Sequence, residues 1–181
     1  MTSPQEFDFA DWFGNIGVPE ESVDVYTRAD LVGEIQNLQR RIEESDAAAQ
    51  VERSLSDEMS EEEARLAELL EEFTAGRVTF YLRGLTQDER HEIREAHEAA
   101  GERNEAFALR FVAKSIVGVR RFGKDRVKAS MSLPHVTKLH AQLGEGQMAN
   151  LFRAAQQATN GVPTVDADFL LRRSGQGDFE E

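Results

Sequence analysis

The sequence predicts a mainly α protein: an acidic N-terminal helical arm joined to a small helical domain that carries a short strand or β-hairpin. Three observations predict it. Apolar residues recur at spacings of three and four along most of the chain. Capping residues and glycines punctuate those stretches. Charge divides sharply: residues 1–75 carry 5 basic and 20 acidic side chains, and residues 76–181 carry 16 and 14. That asymmetry sets a boundary near Gly76, with a strongly acidic part before it and a near-neutral part after it.

Residues 1–26 form an acidic, aromatic segment without periodic signal. Phe7, Phe9, Trp12 and Phe13 cluster with Asp8 and Asp11, and Gly14, Gly17 and Pro19 interrupt any helix. Such a segment docks its rings on a partner, folds back onto its own domain, or frays.

Residues 27–76 read as the acidic arm. Leu31, Ile35, Leu38 and Ile42 are spaced 4, 3, 4 and make one helical stripe. Thr27 is the expected N-cap, with Asp30 as its capping-box partner. The stripe weakens over residues 45–50 and resumes with Val51, Leu55 and Met59. Ser60 and Glu63 form a capping box that opens a second helix, with Leu66, Leu69, Leu70 and Phe73 as its apolar face. Glu61, Glu62 and Glu63 suit the positive end of the helix dipole. Gly76 is expected to end this helix in the left-handed conformation. Helices over about 28–55 and 61–75 then pair as a hairpin or short coiled coil. The first stripe either covers an apolar helical client or is itself covered by Leu66, Leu69 and Phe73.

Residues 77–163 read as a helical core domain that folds alone. Val78, Phe80 and Leu82 alternate with Thr79, Tyr81 and Arg83, which predicts a strand. Thr86 and Glu89 form a capping box for a helix that runs to about Ala100 and ends at Gly101. A third helix covers Asn104 to about Val117, with Phe107, Phe111 and Ile116 near one face. Alternation at Val117 and Val119, and at Val127 and Ala129, predicts a small hairpin turning at Gly123-Lys124. Pro134 suits the first turn of a helix that buries Val136, Leu139, Ala141 and Leu143. Gly144-Glu145-Gly146 turns into a last helix, Gln147 to Thr159, which Asn160-Gly161 and Pro163 close. Residues 164–181 read as a Gly-rich, acidic, flexible tail.

Composition excludes several kinds of chemistry. The chain has no cysteine, so it has no disulfide, thiolate metal site or cysteine nucleophile. The opening residues lack a basic and then apolar leader, and no apolar run approaches the ~20 residues that span a bilayer. The reading is a soluble, cytoplasmic protein without membrane partners. His91-Glu92 with His97 only superficially resembles a metalloprotease helix, because that chemistry needs histidines at i and i+4 and position 95 is Glu95. His135 and His140 have no acidic partner nearby in sequence. Gly144-Glu145-Gly146 lacks the Lys-Ser/Thr of a phosphate loop, and no Gly-x-Ser-x-Gly elbow occurs. The expectation is therefore no catalytic residue, no cofactor and no metal.

One window stands apart. Residues 110–128 hold seven basic side chains and one acidic, a net of +6. Arg120, Arg121 and Lys124 flank Phe122, with Arg126 and Lys128 following. Three readings are open: a nucleic-acid contact with Phe122 as a stacking ring, a docking surface for an acidic partner that includes the protein's own N-terminal part, or a solvated hairpin rim. The overall charge of −13 disfavours nucleic acid. The expected partner-binding residues are Leu31, Ile35, Leu38 and Ile42 on the arm, and Arg120, Arg121, Phe122 and Lys124 on the hairpin.

The order of motifs after Gly76 carries a resemblance. Val-Thr-Phe-Tyr-Leu-Arg-Gly-Leu at 78–85 precedes a polar helix. Asn104-Glu-Ala-Phe107 follows, and then Leu143-Gly-Glu-Gly146-Gln-Met-Ala-Asn150-Leu-Phe152-Arg-Ala-Ala155, closed by Asn160 and Val162-Pro163. This series, over about residues 77–163, is similar to the tail assembly chaperones of long-tailed phages, especially those of actinobacterial hosts. Residues 117–130 depart from the shorter, less basic connection of that family, and the tail after Val165 has no counterpart in it. The resemblance implies a non-enzymatic helper in the host cytoplasm, absent from the mature virion. It would bind the long helical tape measure protein and deliver it to tail tube subunits. It also implies self-association, or pairing with the longer frameshifted form in which the family often occurs. The alternative class is a virion tail protein or another interaction module.

Overall fold

The computed structural model describes residues 17–49, 60–101 and 103–161. In chain order the elements are β1 (Glu20–Tyr26), a single 3-10 turn (Ala29–Leu31), α1 (Val32–Ala49), α2 (Glu61–Ala75), β2 (Arg77–Arg83), α3 (Gln87–Ala100), α4 (Asn104–Ser115), β3 (Ile116–Arg121), β4 (Val127–Lys128), α5 (Leu133–Leu143) and α6 (Glu145–Asn160). The protein is mainly helical, with one antiparallel sheet in the order β1-β2-β3-β4. The Val119↔Val127 and Gly118↔Lys128 pairs form the expected hairpin. The aromatic residues Phe7 to Phe13, the resumed stripe at Val51, Leu55 and Met59, and the tail 164–181 lie outside the described residues.

Register explains the core. Val25 pairs with Val78, Val23 with Phe80, and Phe80 with Val119, so these side chains share one face of the sheet. Helices α4, α5 and α6 cover that face with Leu109, Phe111, Val112, Val136, Met148, Leu151 and Ala155. Small residues on α6 let it lie close: Ala154, Ala155 and Ala158 are buried, and a Cβ at Gly84 would run into the Ala158 carbonyl. At Tyr26, the end of β1, a side chain caps the free edge. The Tyr26 N–H donates to Gln147 Oε1 at 2.7 Å, and Gln147 Nε2 donates back to the Tyr26 carbonyl at 3.1 Å. A glutamine amide thus takes the place of the next strand.

Several local expectations are corrected. Residues 20–26, without legible periodicity, form β1; its Val23 and Val25 alternate into the core while Glu20 at its start pairs with Arg126. Since β1 supplies Val23 and Val25, residues 77–163 do not close their own core. The arm is therefore an insertion between two paired strands. Thr27 caps no helix; its N–H and hydroxyl both bond the Gly76 carbonyl at 3.0 Å, which ties the two ends of the arm together. Asp30 pairs with Arg28 at 3.1 Å instead of completing a capping box. Gly76 is right-handed, at φ −75°, and its smallness serves this junction, because an added Cβ would stand 3.0 Å from Thr27 Oγ1. Ile116 starts β3 rather than ending α4. The capping boxes at Ser60/Glu63 and Thr86/Glu89 form as expected, and Gly101 is left-handed at φ 60°.

Candidate partner-binding surfaces

The arm stripe turns inward. Leu31, Ile35 and Leu38 are buried against Leu69, with Leu66 and Phe73 packed beside them, and Ile42 is half-buried. Helix α2 covers the stripe, so the residues expected to meet a client form the arm's own core. The outside of this hairpin is laced with ion pairs: Arg65 to Glu34 at 3.2 Å, and Arg41 to Glu62.

The hairpin residues face outward. Arg120, Arg121, Phe122 and Lys124 are all exposed. The face of the sheet opposite the helices carries Ser22 and Asp24 from β1, Arg77, Thr79, Tyr81 and Arg83 from β2, Arg120 from β3, and Lys128 from β4. Arg121 has the opposite parity and stands at the end of β3. Arg126 organises this face. Its guanidinium lies 4.1 Å from the Tyr81 ring centroid and donates to Glu20 at 2.8 Å, so one side chain crosses from the β4 side to β1. Gly118 makes the crossing possible, because a Cβ there would stand 2.9 Å from Arg126 Nε. Arg120 approaches the same ring at 6.0 Å, and Arg77 lies 5.1 Å from the Phe122 ring. Thr79 donates to Asp24 at 2.6 Å. Beside Arg126 lies an open depression of about 650 Å³, with Val18, Glu20, Arg83, Lys114, Arg126 and Lys128 on its walls. Arg120, Arg121, Lys124 and Lys128 have no ion-pair partner among the described residues.

Sequence reading found the basic cluster and missed Tyr81 and Arg77. Their signal was parity: they alternate with Val78, Phe80 and Leu82 and so had to leave the core face. The Arg126–Glu20 pair spans 106 positions, and no local pattern reveals it.

A second surface lies between helices. Ala108, Leu109 and Val112 of α4 meet Met148, Ala149 and Phe152 of α6 around a groove of about 370 Å³. Glu105 and Glu145 stand on its rim, with His140 at 3.3 Å from Glu105. Phe152 packs edge-on against Phe111 at 6.0 Å.

The histidine helix is a polar surface. His91 pairs with Glu95 at 3.2 Å, and His97 turns to the Phe107 ring. Near its start Glu89 accepts from Arg83 Nη1 at 2.8 Å and from the Thr86 N–H at 3.1 Å. The Arg83 hydrogen bonds hold its carboxyl down to a pKa of about 2.

No family model, curated protein or solved structure matches this chain. Among the described residues, no helix is long and apolar enough to cross a membrane.

Proposed function

We propose that this protein is a non-enzymatic tail assembly chaperone, which binds a phage tape measure protein and hands it to tail tube subunits. One observation carries the reading. Two of the stretches that bear the resemblance, Asn104 to Phe107 and Leu143 to Ala155, belong to helices that come together around the α4–α6 groove. Its floor is Leu109, Val112, Met148 and Phe152, and its rim is acidic. An apolar floor with charged edges suits one face of an amphipathic helix, with apolar side chains in the groove and basic ones at the rim. The acidic arm adds net charge, which keeps a complex with an aggregation-prone client in solution.

Co-expression with a phage tape measure protein tests this. The parent chain is expected to co-purify with that protein. Ala149→Arg, at an exposed position on the groove wall, is expected to weaken capture by about tenfold, as a central contact does, and to leave melting unchanged. Equal capture by both chains would remove the groove from the reading. Absence of capture by the parent would remove the chaperone. Stoichiometric presence in purified particles would favour a virion component.

A further inference from the structure

We infer that the cationic face of the sheet is the docking surface for this chain's own N-terminal segment, residues 1–16. Those residues lie outside the described ones. The chain enters the described structure at Gly17, and Val18 and Glu20 already line the depression that holds Arg83, Lys114, Arg126 and Lys128. The segment is therefore tethered at the rim of that surface. Sixteen residues reach up to about 50 Å, and four strands span only about 15 Å, so the tether covers the whole face.

The two chemistries are complementary. The segment contains Glu6, Asp8 and Asp11, no Lys or Arg, and the rings of Phe7, Phe9, Trp12 and Phe13. The face offers Arg120 and Lys128, and the hairpin end at its edge adds Arg121 and Lys124, all four without ion-pair partners among the described residues, together with Phe122 at 47% exposure. Glu20 sets the pattern, because this acidic residue just after the segment is already bound to Arg126 on that face. Carboxylates near Arg and Lys, with rings against guanidinium planes, are contacts that such a surface makes favourably. Glu20 and Asp24 cancel part of the positive potential. A short acidic peptide tolerates this better than a polyphosphate chain, whose affinity grows with every uncancelled cation. Docking within one chain also avoids the entropy of association, so weak contacts suffice.

The inference is independent of the client's identity, and Trp12 reports on it because it is the chain's one tryptophan. Its emission and acrylamide quenching are measured in the full chain and in a synthetic peptide of residues 1–16. The full chain is expected to emit to the blue of the peptide and to be quenched less. The double variant Arg120→Glu with Lys128→Glu is expected to move both readings toward the peptide, with the docked-to-free ratio falling roughly fivefold for two lost surface pairs. Lys138→Glu, on α5, is expected to leave them unchanged. Raising salt to ~1 M, where screening reaches ~3 Å, repeats the test on the parent chain without any substitution. Peptide-like emission from the parent chain overturns the inference. So does a parent signal that neither the double variant nor salt moves, or one that Lys138→Glu moves equally. A blue shift that appears only as the molecular mass rises with concentration assigns the face to a second copy's segment and overturns docking within the chain.

Discussion

Arg126 shows how one side chain can depend on a residue of the neighbouring strand. It reaches Tyr81 and Glu20 only because Gly118 leaves its path open. Gly118→Val puts bulk 2.9 Å from Arg126 Nε and 3.1 Å from the Val127 carbonyl. The side chain can swing away, but the backbone of the hairpin must shift. The expected cost is about 1–3 kcal/mol by urea unfolding, with Arg126→Ala costing less, because its pair with Glu20 is solvent-exposed. Equal costs would mean that Gly118 serves the arginine alone. Glu89 makes a second prediction at this scale. Its folded pKa of about 2 lies below the ordinary value of 4.5, so its contribution is complete above pH 4.5 and disappears as pH falls toward 2. The pair is only partly buried, and solvent screening reduces that contribution to about 1 kcal/mol. Glu89→Gln should lower stability at pH 7 and converge with the parent near pH 2. Parallel stability curves across that range would show that the Arg83 pair is not responsible.

Among the elements, the arm is the one whose role changed most between sequence and structure. Its stripe of Leu31, Ile35 and Leu38 meets Leu69, which is wholly buried, and the result is a small core separate from the one under the sheet. Leu38→Ala and Leu69→Ala are each expected to cost about 2–5 kcal/mol in thermal or urea unfolding, with capture per folded molecule unchanged. Loss of capture at full stability would return the stripe to a client-facing role. The arm's two helices are joined to the sheet through the Thr27–Gly76 bonds and the stacked Tyr26 and Phe73 rings, 4.4 Å apart. A destabilised arm therefore acts directly on the ends of β1 and β2.

Across the whole molecule, the sheet is made of strands far apart in the sequence. β1 and β2 are neighbours in space with the entire arm between them, and β2 meets β3 after two helices. A chain beginning at Arg77 lacks β1, its Val23 and Val25, and the partner that Gln147 bonds. Exposing that face of β2 and α6 should abolish a cooperative thermal transition, whereas a chain beginning at Gly17 should keep it. Calorimetry on the two truncations decides the matter, and a sharp transition from the shorter chain would show that β1 is dispensable.

Helix positions, the capping boxes at Ser60/Glu63 and Thr86/Glu89, the helix end at Gly101 and the β3–β4 hairpin were legible in the sequence. Each depends on residues within a few positions of one another: a hydroxyl and a carboxylate three apart, a glycine at a helix end, an alternation of period two. The amphipathic stripe was legible too, but a stripe says only that one side must be covered and not by what. Tertiary structure decided that Leu69 covers it, that residues 20–26 complete the sheet, and that Tyr81, Arg126 and Glu20 meet on the open face. It also decided that the α4 and α6 motif segments share a groove. These are contacts between residues tens of positions apart, and long-range pairing is fixed by the joint packing of all elements around one core rather than by any local pattern of residues.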